Sequence, residues 1–321
     1  MKCSKILATI AFASLFAASS FAADEEIIGK YGAITIKKVK NDAGVEVTVA
    51  EIDDESKATT TITENIEVDS VYFNREFKVG NETDKRASTL MLPFDVEQSA
   101  SWKLNLDLFE FVRVVKECDN CSYEVHVKNQ ESRDAGHMKA NTPYIAIARV
   151  TNQQIAFSTK NTDVKKIVLK PTAGNHVVRH EEGDYYWDMT GTYENIEFKN
   201  PKNIFGFASS ASGKTQLGDF VKAACKDGKC ASVRPFRAYL KCVPKSLNKS
   251  ADEAELPETI KVFVIDENGK KGTTAIGSLN TRTGEFVKED NRWFDMKGRV
   301  LDHKPTAKGT YYNNKKKVII K

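Results

Sequence analysis

The constraint that bears hardest on this chain is a period of two. Trp102, Leu104, Leu106 and Leu108 alternate with Lys103, Asn105 and Asp107, and Tyr123, Val125 and Val127 alternate with Glu124, His126 and Lys128. Successive side chains of an extended strand point to opposite faces, so this alternation builds strands that bury one face. The same reading places strands over residues 33–39 and 45–52, joined by the turn NDAG, and over 70–79, 144–150, 166–169 and 260–265. Gly, Asn, Asp and Pro punctuate them at short intervals, and LGDFVKAACK offers at most a turn or two of helix. The expected fold is all-β: an antiparallel β-sandwich-like module followed by a small C-terminal β unit.

The boundaries follow from where alternation stops. An N-terminal β-hairpin region is expected over 23–66 and the module over 67–250. The acidic, proline-containing stretch ADEAELPE over 251–258 reads as a linker, and a C-terminal β region runs from 259 to 321. With 321 residues and 40% hydrophobic composition there is ample material for a core.

The first residues read as an address. Lys2 and Lys5 precede an apolar run from Ile6 to Phe16, and Ser20 and Ala22 flank Phe21 as the small residues of a cleavage site. This is the layout of a secretory signal peptide over 1–22, with the mature chain beginning at Ala23. The apolar run is shorter than the ~20 residues a spanning helix needs. The chain has 48 Lys and Arg against 44 Asp and Glu; a leader that takes Lys2 and Lys5 leaves 46 against 44. Such a balance, with no concentrated basic face, argues against nucleic acid as a partner.

Five cysteines lie beyond the leader: Cys118, Cys121, Cys225, Cys230 and Cys242. In an exported chain they read as disulfide candidates rather than metal ligands. CDNC falls between two strands, so a Cys118–Cys121 bridge would cap a hairpin. CKDGKC makes a second tight turn, and Cys242 is near enough in sequence to compete for either of its members. A zinc site on Cys118, Cys121, Cys225 and Cys230 would have no standard knuckle spacing.

Two look-alikes fail on chemistry. ASSASGKT, residues 208–215, nearly matches a phosphate-binding loop, but Ala208 stands where the first glycine belongs, so no nucleotide is expected. HVVRH would place His176 and His180 on one strand face beside Glu181 and Glu182, yet the metalloprotease spacing is absent, and solvated histidines are the reading kept. No catalytic residues, metal site or cofactor are therefore expected. The cluster DYYWDMTGTYENIEF is the one speculative ligand surface: Tyr185, Tyr186, Trp187 and Tyr193 offer flat rings for stacking on a sugar, or else fill the core of a strand.

Several blocks carry a family resemblance. VDSVYFNREFKVGNETDKRASTLMLPFDV, MKANTPYIAIA, GTYENIEF with NIFGFASS, and VRPFRAYLKC occur in that order between Val68 and Cys242. They resemble a module of secreted and surface proteins of gut Bacteroidetes and Fibrobacter. Leu92-Pro93-Phe94 and Pro235-Phe236-Arg237-Ala238-Tyr239-Leu240 are the clearest pieces. The resemblance implies a β-rich extracellular module with no catalytic residues to carry over. WFDMKGRVL, KPTAKGTYY and KKVIIK are similar to the type A sorting region of the type IX secretion system. That resemblance implies a sorting role for Asp295, Gly298, Arg299, Gly309, Tyr311, Lys317, Val318 and Lys321, with a hairpin turn at Asn313-Asn314. The expectation is an exported cell-surface or secreted interaction protein of unassigned ligand; the alternative is a carbohydrate-binding adhesion module. Its partners would be the export and sorting machinery, and polysaccharide or other surface proteins.

Overall fold

A computed structural model describes residues 25–75, 87–96, 106–117, 122–129, 138–148, 155–158, 166–174, 176–209, 216–246, 256–266, 268–275, 293–294, 300–301, 305, 309–313 and 316–320. They contain no helix, so the fold is all-β. One eleven-stranded sheet dominates. Its strands run in the order Val177–Glu182, Tyr185–Thr192, Arg237–Pro244, Ile204–Phe207, Phe220–Lys222, Thr259–Ile265, Ser122–Asn129, Leu106–Glu117, Tyr144–Ala148 and Ala87–Leu90, with Lys271–Ala275 also pairing with Thr259–Ile265.

This sheet rolls up around a core. Phe109, Phe111, Val125, Val127, Ile145 and Ile147 from one half meet Trp187, Met189, Phe205, Phe220 and Leu240 from the other, all buried. Side-chain hydrogen bonds stitch the roll. Val114 N donates to His180 Nδ1 (3.3 Å), and Thr89 Oγ1 both donates to the Ala238 carbonyl and accepts from the Ala238 amide, each at 2.9 Å.

A second sheet of five strands, Glu26–Tyr31, Ile34–Lys40, Glu46–Asp53, Ser70–Asn74 and Ile155–Ser158, packs on the outside of that roll. Ile34, Ile36, Ile52, Val71 and Phe73 form its inner face and meet Leu90, Leu106, Leu108, Tyr144 and Ala146 of the large sheet. The strand Tyr144–Ala148 is consequently buried on both faces. That explains why YIAIA is an unbroken apolar run where its neighbours alternate. The NDAG turn forms as expected: Asn41 Oδ1 accepts from the amides of Ala43 and Val45, both 3.0 Å, and sets the register Lys40 opposite Glu46.

Three expectations are corrected. Pairing is mixed, because Thr259–Ile265 runs parallel to Ser122–Asn129 and Glu46–Asp53 runs parallel to Ser70–Asn74. The N-terminal hairpin is part of the five-stranded sheet, joined there by two strands from beyond residue 66. The expected C-terminal region does not begin at 259. Thr259–Ile265 is an interior strand of the large sheet, and Leu256, within the expected linker, is buried in its core. A separate small sheet does form, in the order Val300–Leu301, Trp293–Phe294, Gly309–Asn313, Lys316–Ile320. Asn313 pairs with Lys316, so Asn313 belongs to the strand and not to the Asn313-Asn314 turn expected; Asn314 lies outside the described residues. A Cβ at Gly309 would lie 3.2 Å from the Tyr311 ring, so the Gly-Thr-Tyr spacing lets the ring fold back over the strand two residues earlier.

Candidate functional site

A buried ion network lies between the two sheets. Arg75 and Asp54 have side chains only 1% exposed. Arg75 follows the strand Ser70–Asn74 and Asp54 follows Glu46–Asp53, so adjacent parallel strands deliver them side by side. Arg75 Nε and Nη2 donate to Asp54 Oδ1 at 2.9 and 2.7 Å, its Nη1 to the Thr89 carbonyl at 2.7 Å, and Nη2 also to the Phe236 carbonyl at 3.1 Å. Asp54 Oδ2 accepts from Arg237 Nη2 at 2.6 Å, and Arg237 Nη1 donates to Ser88 Oγ at 2.9 Å. The five-stranded sheet is thereby tied through polar groups to two strands of the large sheet. Because every one of these bonds is charge-assisted, the knot fixes geometry tightly.

Phe236 turns the chain into this knot. Its φ is +61°, a conformation rarely tolerated by a bulky side chain, so its surroundings must hold it. They do: its amide donates to the Thr192 carbonyl at 2.8 Å, its carbonyl accepts from Met91 N and Arg75, and its buried ring packs edge-on against Tyr193. Beyond Phe236, alternation sends Ala238, Leu240 and Cys242 into the core and leaves Arg237 and Tyr239 on the opposite face.

On that face lies a cleft of about 550 Å³. Its floor includes Gly206 and Val221, paired across adjacent strands, and Tyr239, against which Phe198 packs edge-on with ring centroids 5.0 Å apart. Among the described residues its charged lining is Arg75, Lys222, Arg234 and Arg237 against Glu55, with Asp54 behind the wall: four cations to two carboxylates. Arg234 donates to Glu55 at 2.6 Å. Burial, and then the neighbouring Arg75, lower Arg237 to about 10, which still leaves it cationic at neutral pH. Burial followed by Asp188 raises the Tyr239 phenol, which stays neutral. The disulfide Cys225–Cys230 closes the hairpin whose two ends, Ala223-Ala224 and Ala231 to Arg234, line the cleft, and Ala231 N donates to the Ala224 carbonyl at 3.0 Å. The bridge thus holds the arm that carries Arg234.

The expected sugar-stacking surface is corrected. Trp187 is 0% exposed, between Tyr123 and Phe205, while Tyr185 and Tyr193 are also buried. Tyr193 donates through its hydroxyl to Asn141 Oδ1 at 2.6 Å. Tyr186 alone is partly exposed, and its ring is covered by the Arg179 guanidinium, 4.8 Å from the centroid. Arg179 in turn holds Asp188 through two bonds of 2.7 and 2.8 Å. Three of the four rings are therefore core residues, and the fourth carries a guanidinium over its ring.

The other candidates separate. Cys225 and Cys230 are bonded to each other, whereas Cys242 is a buried free thiol directly opposite Trp187, raised to about 12 by burial and then Asp188, so it does not compete for either. Cys118 and Cys121 lie outside the described residues, as do Asp295, Gly298, Arg299 and Lys321. Gly309, Tyr311, Lys317 and Val318 share the last hairpin, with Tyr311 opposite Val318. His176 Nε2 sits 2.9 Å from the Thr172 carbonyl and His180 accepts from Val114 N, so the two imidazoles serve different contacts. Of the phosphate-loop look-alike, Ala208 and Ser209 line the cleft; residues 210–215 lie outside the described residues.

A second polar cluster bears on stability. Arg113 Nε donates to His126 Nδ1 at 3.2 Å, which leaves the proton of the neutral ring on Nε2, 3.3 Å from Glu124 Oε2. Lys271 bonds both oxygens of Glu124. Burial chiefly, then Arg113 and Lys271, hold His126 below its usual pKa against the pull of Glu124. The unfolded chain therefore takes up this proton near pH 6.5 and the folded chain only at lower pH. Stability from His126 is full above 6.5 and falls as pH drops below it. Thermal unfolding between pH 7.5 and 5.5, conditions spanning about one unit each side of that value, is expected to show a shallower fall for His126→Gln than for the wild type. Equal slopes would contradict this assignment.

Comparisons with protein-family models, with curated proteins and with solved structures find no match to this chain.

Proposed function

We propose that this chain is an exported surface or secreted interaction protein that takes its ligand in the cleft beside Arg237. The single observation that carries the reading is that cleft. It lies on a sheet face whose position is fixed by a buried ion network, with one arm pinned by a disulfide. Loops on a rigid scaffold are where binding residues concentrate. The blocks that carry the family resemblance support the reading in a particular way. Arg75, Leu92, Phe94, Phe236 and Arg237 are the residues that build and flank the knot, so that ordered pattern reads as the recipe for this scaffold.

Export rests on the leader layout and on the resemblance of the tail to a sorting region. Deleting residues 292–321 removes the small terminal sheet and leaves every strand of the large sheet in place. In the native host, the truncated protein is expected to fold with an unchanged melting transition and to accumulate in the cell instead of reaching the surface or medium. Normal delivery of the truncated chain would refute the sorting role.

Carbohydrate binding is the second reading. The Phe198 and Tyr239 pair inside the cleft favours it, in place of the buried rings of the DYYW stretch.

A further inference from the structure

Resting on the reading of the cleft as a ligand site, we propose that its ligand is an acidic saccharide whose carboxylate is held by Arg237 and Arg234. The argument begins with unspent donors. A guanidinium carries five N–H groups in a fixed fork. Arg237 uses one nitrogen on Ser88 and one on Asp54, and Arg234 uses one on Glu55. Among the described residues the remaining N–H groups of both have no protein acceptor. Both side chains line the cleft and are 24% and 35% exposed, so neither is sealed off from a ligand.

Charge points the same way. Among the described residues the cleft and the wall behind it carry four cations and two carboxylates, although the chain as a whole is nearly balanced. An anion completes the set, and a planar carboxylate matches the guanidinium fork. The rest of the lining narrows the class. Phe198 and Tyr239 supply apolar surface, while Ser209 and Ser232 supply hydroxyls, a combination suited to a ring with one apolar face and a polar rim. An acidic peptide fits less well. Extended peptides gain affinity by adding to a free strand edge, whereas Ile204–Phe207 is an interior strand of the large sheet, paired with Phe220–Lys222 from Phe205 to Phe207 and with Arg237–Pro244 at Ile204 and Phe205.

Gly206 gives a position from which to fill the site, because a Cβ built there meets no atom of the described residues within 4 Å. The test is titration calorimetry of the mature chain with trigalacturonate, cellotriose and a triglutamate peptide. Trigalacturonate is expected to bind best, and less tightly as salt rises. Gly206→Trp is expected to abolish that binding with an unchanged melting transition. Arg234→Gln, which leaves the buried network untouched, is expected to weaken it about tenfold, the scale of one lost charge-assisted hydrogen bond. Cellotriose binding as tightly, and lost in Gly206→Trp, would keep the cleft and overturn the acidic ligand. Preference for triglutamate would overturn the saccharide. Binding of no probe, or binding that ignores Gly206→Trp, would overturn both this proposal and the reading of the cleft on which it rests.

Discussion

Replacing Asp54 with alanine is expected to cost about 3–5 kcal/mol of folding stability, the range for breaking a buried ion pair from one side. The side chain is 1% exposed and is the carboxylate partner of both Arg75 and Arg237. Its removal takes from the fully buried Arg75 guanidinium the carboxylate that both its Nε and Nη2 hold. The penalty is a buried charge deprived of this carboxylate more than the lost bonds, so removing the charge as well should relieve it. Asp54→Ala combined with Arg75→Met is accordingly expected to be more stable than Asp54→Ala alone. Urea unfolding monitored by tryptophan fluorescence measures both, with the midpoint moving and the slope unchanged if the transition stays two-state. An Asp54→Ala midpoint equal to wild type would mean that the network is not what joins the two sheets.

Trp187→Ala is expected to destabilise by about 3–5 kcal/mol, the usual cost of removing a large buried aromatic. Trp187 is 0% exposed, its ring 5.2 Å from Tyr123 and 5.9 Å from Phe205, and it spans the two halves of the rolled sheet. The indole Nε1–H finds no acceptor among the described residues, so burying it already carries a penalty. Trp187→Phe removes that donor and leaves a smaller cavity, and is expected to cost much less than the alanine substitution. A test of ligand binding at this position would therefore report unfolding. If Trp187→Ala left the melting transition unchanged while abolishing sugar binding, the placement of this ring in the core would be wrong.

The difference between the expected and observed site has a physical origin. In YYWDM both alternating sets are bulky: Tyr185, Trp187 and Met189 point into the core, while Tyr186 and Asp188 point out beneath Arg179. A period of two identifies the strand but not which set faces inward when both carry aromatic rings. Arg237 was visible only as part of the PFRAYL block. What betrays it is a guanidinium set among core residues, since a charge there needs a partner and a reason. That partner, Asp54, is 183 residues away, and no local pattern connects them.

Strand positions were more legible than boundaries. The alternating runs at 33–39 and 45–52 appear as Ile34–Lys40 and Glu46–Asp53, and the run at 260–265 as Thr259–Ile265. The break at ADEAELPE was a real interruption of alternation, but it interrupts a connection within the large sheet. Parallel pairing of Thr259–Ile265 with Ser122–Asn129 joins segments far apart in the chain, and composition near residue 255 carries no information about that partner.

The account turns on Arg237 and Arg234 as the ligand-facing wall built by the buried knot. Arginine side-chain Nε–H resonances, followed by nitrogen-15 NMR while trigalacturonate is added, test this most directly. The account predicts that the Arg237 and Arg234 resonances shift together to saturation, while that of Arg179, engaged with Asp188 and Tyr186 on the covered aromatic surface, stays in place. A shift at Arg179 with Arg237 and Arg234 unmoved would contradict it.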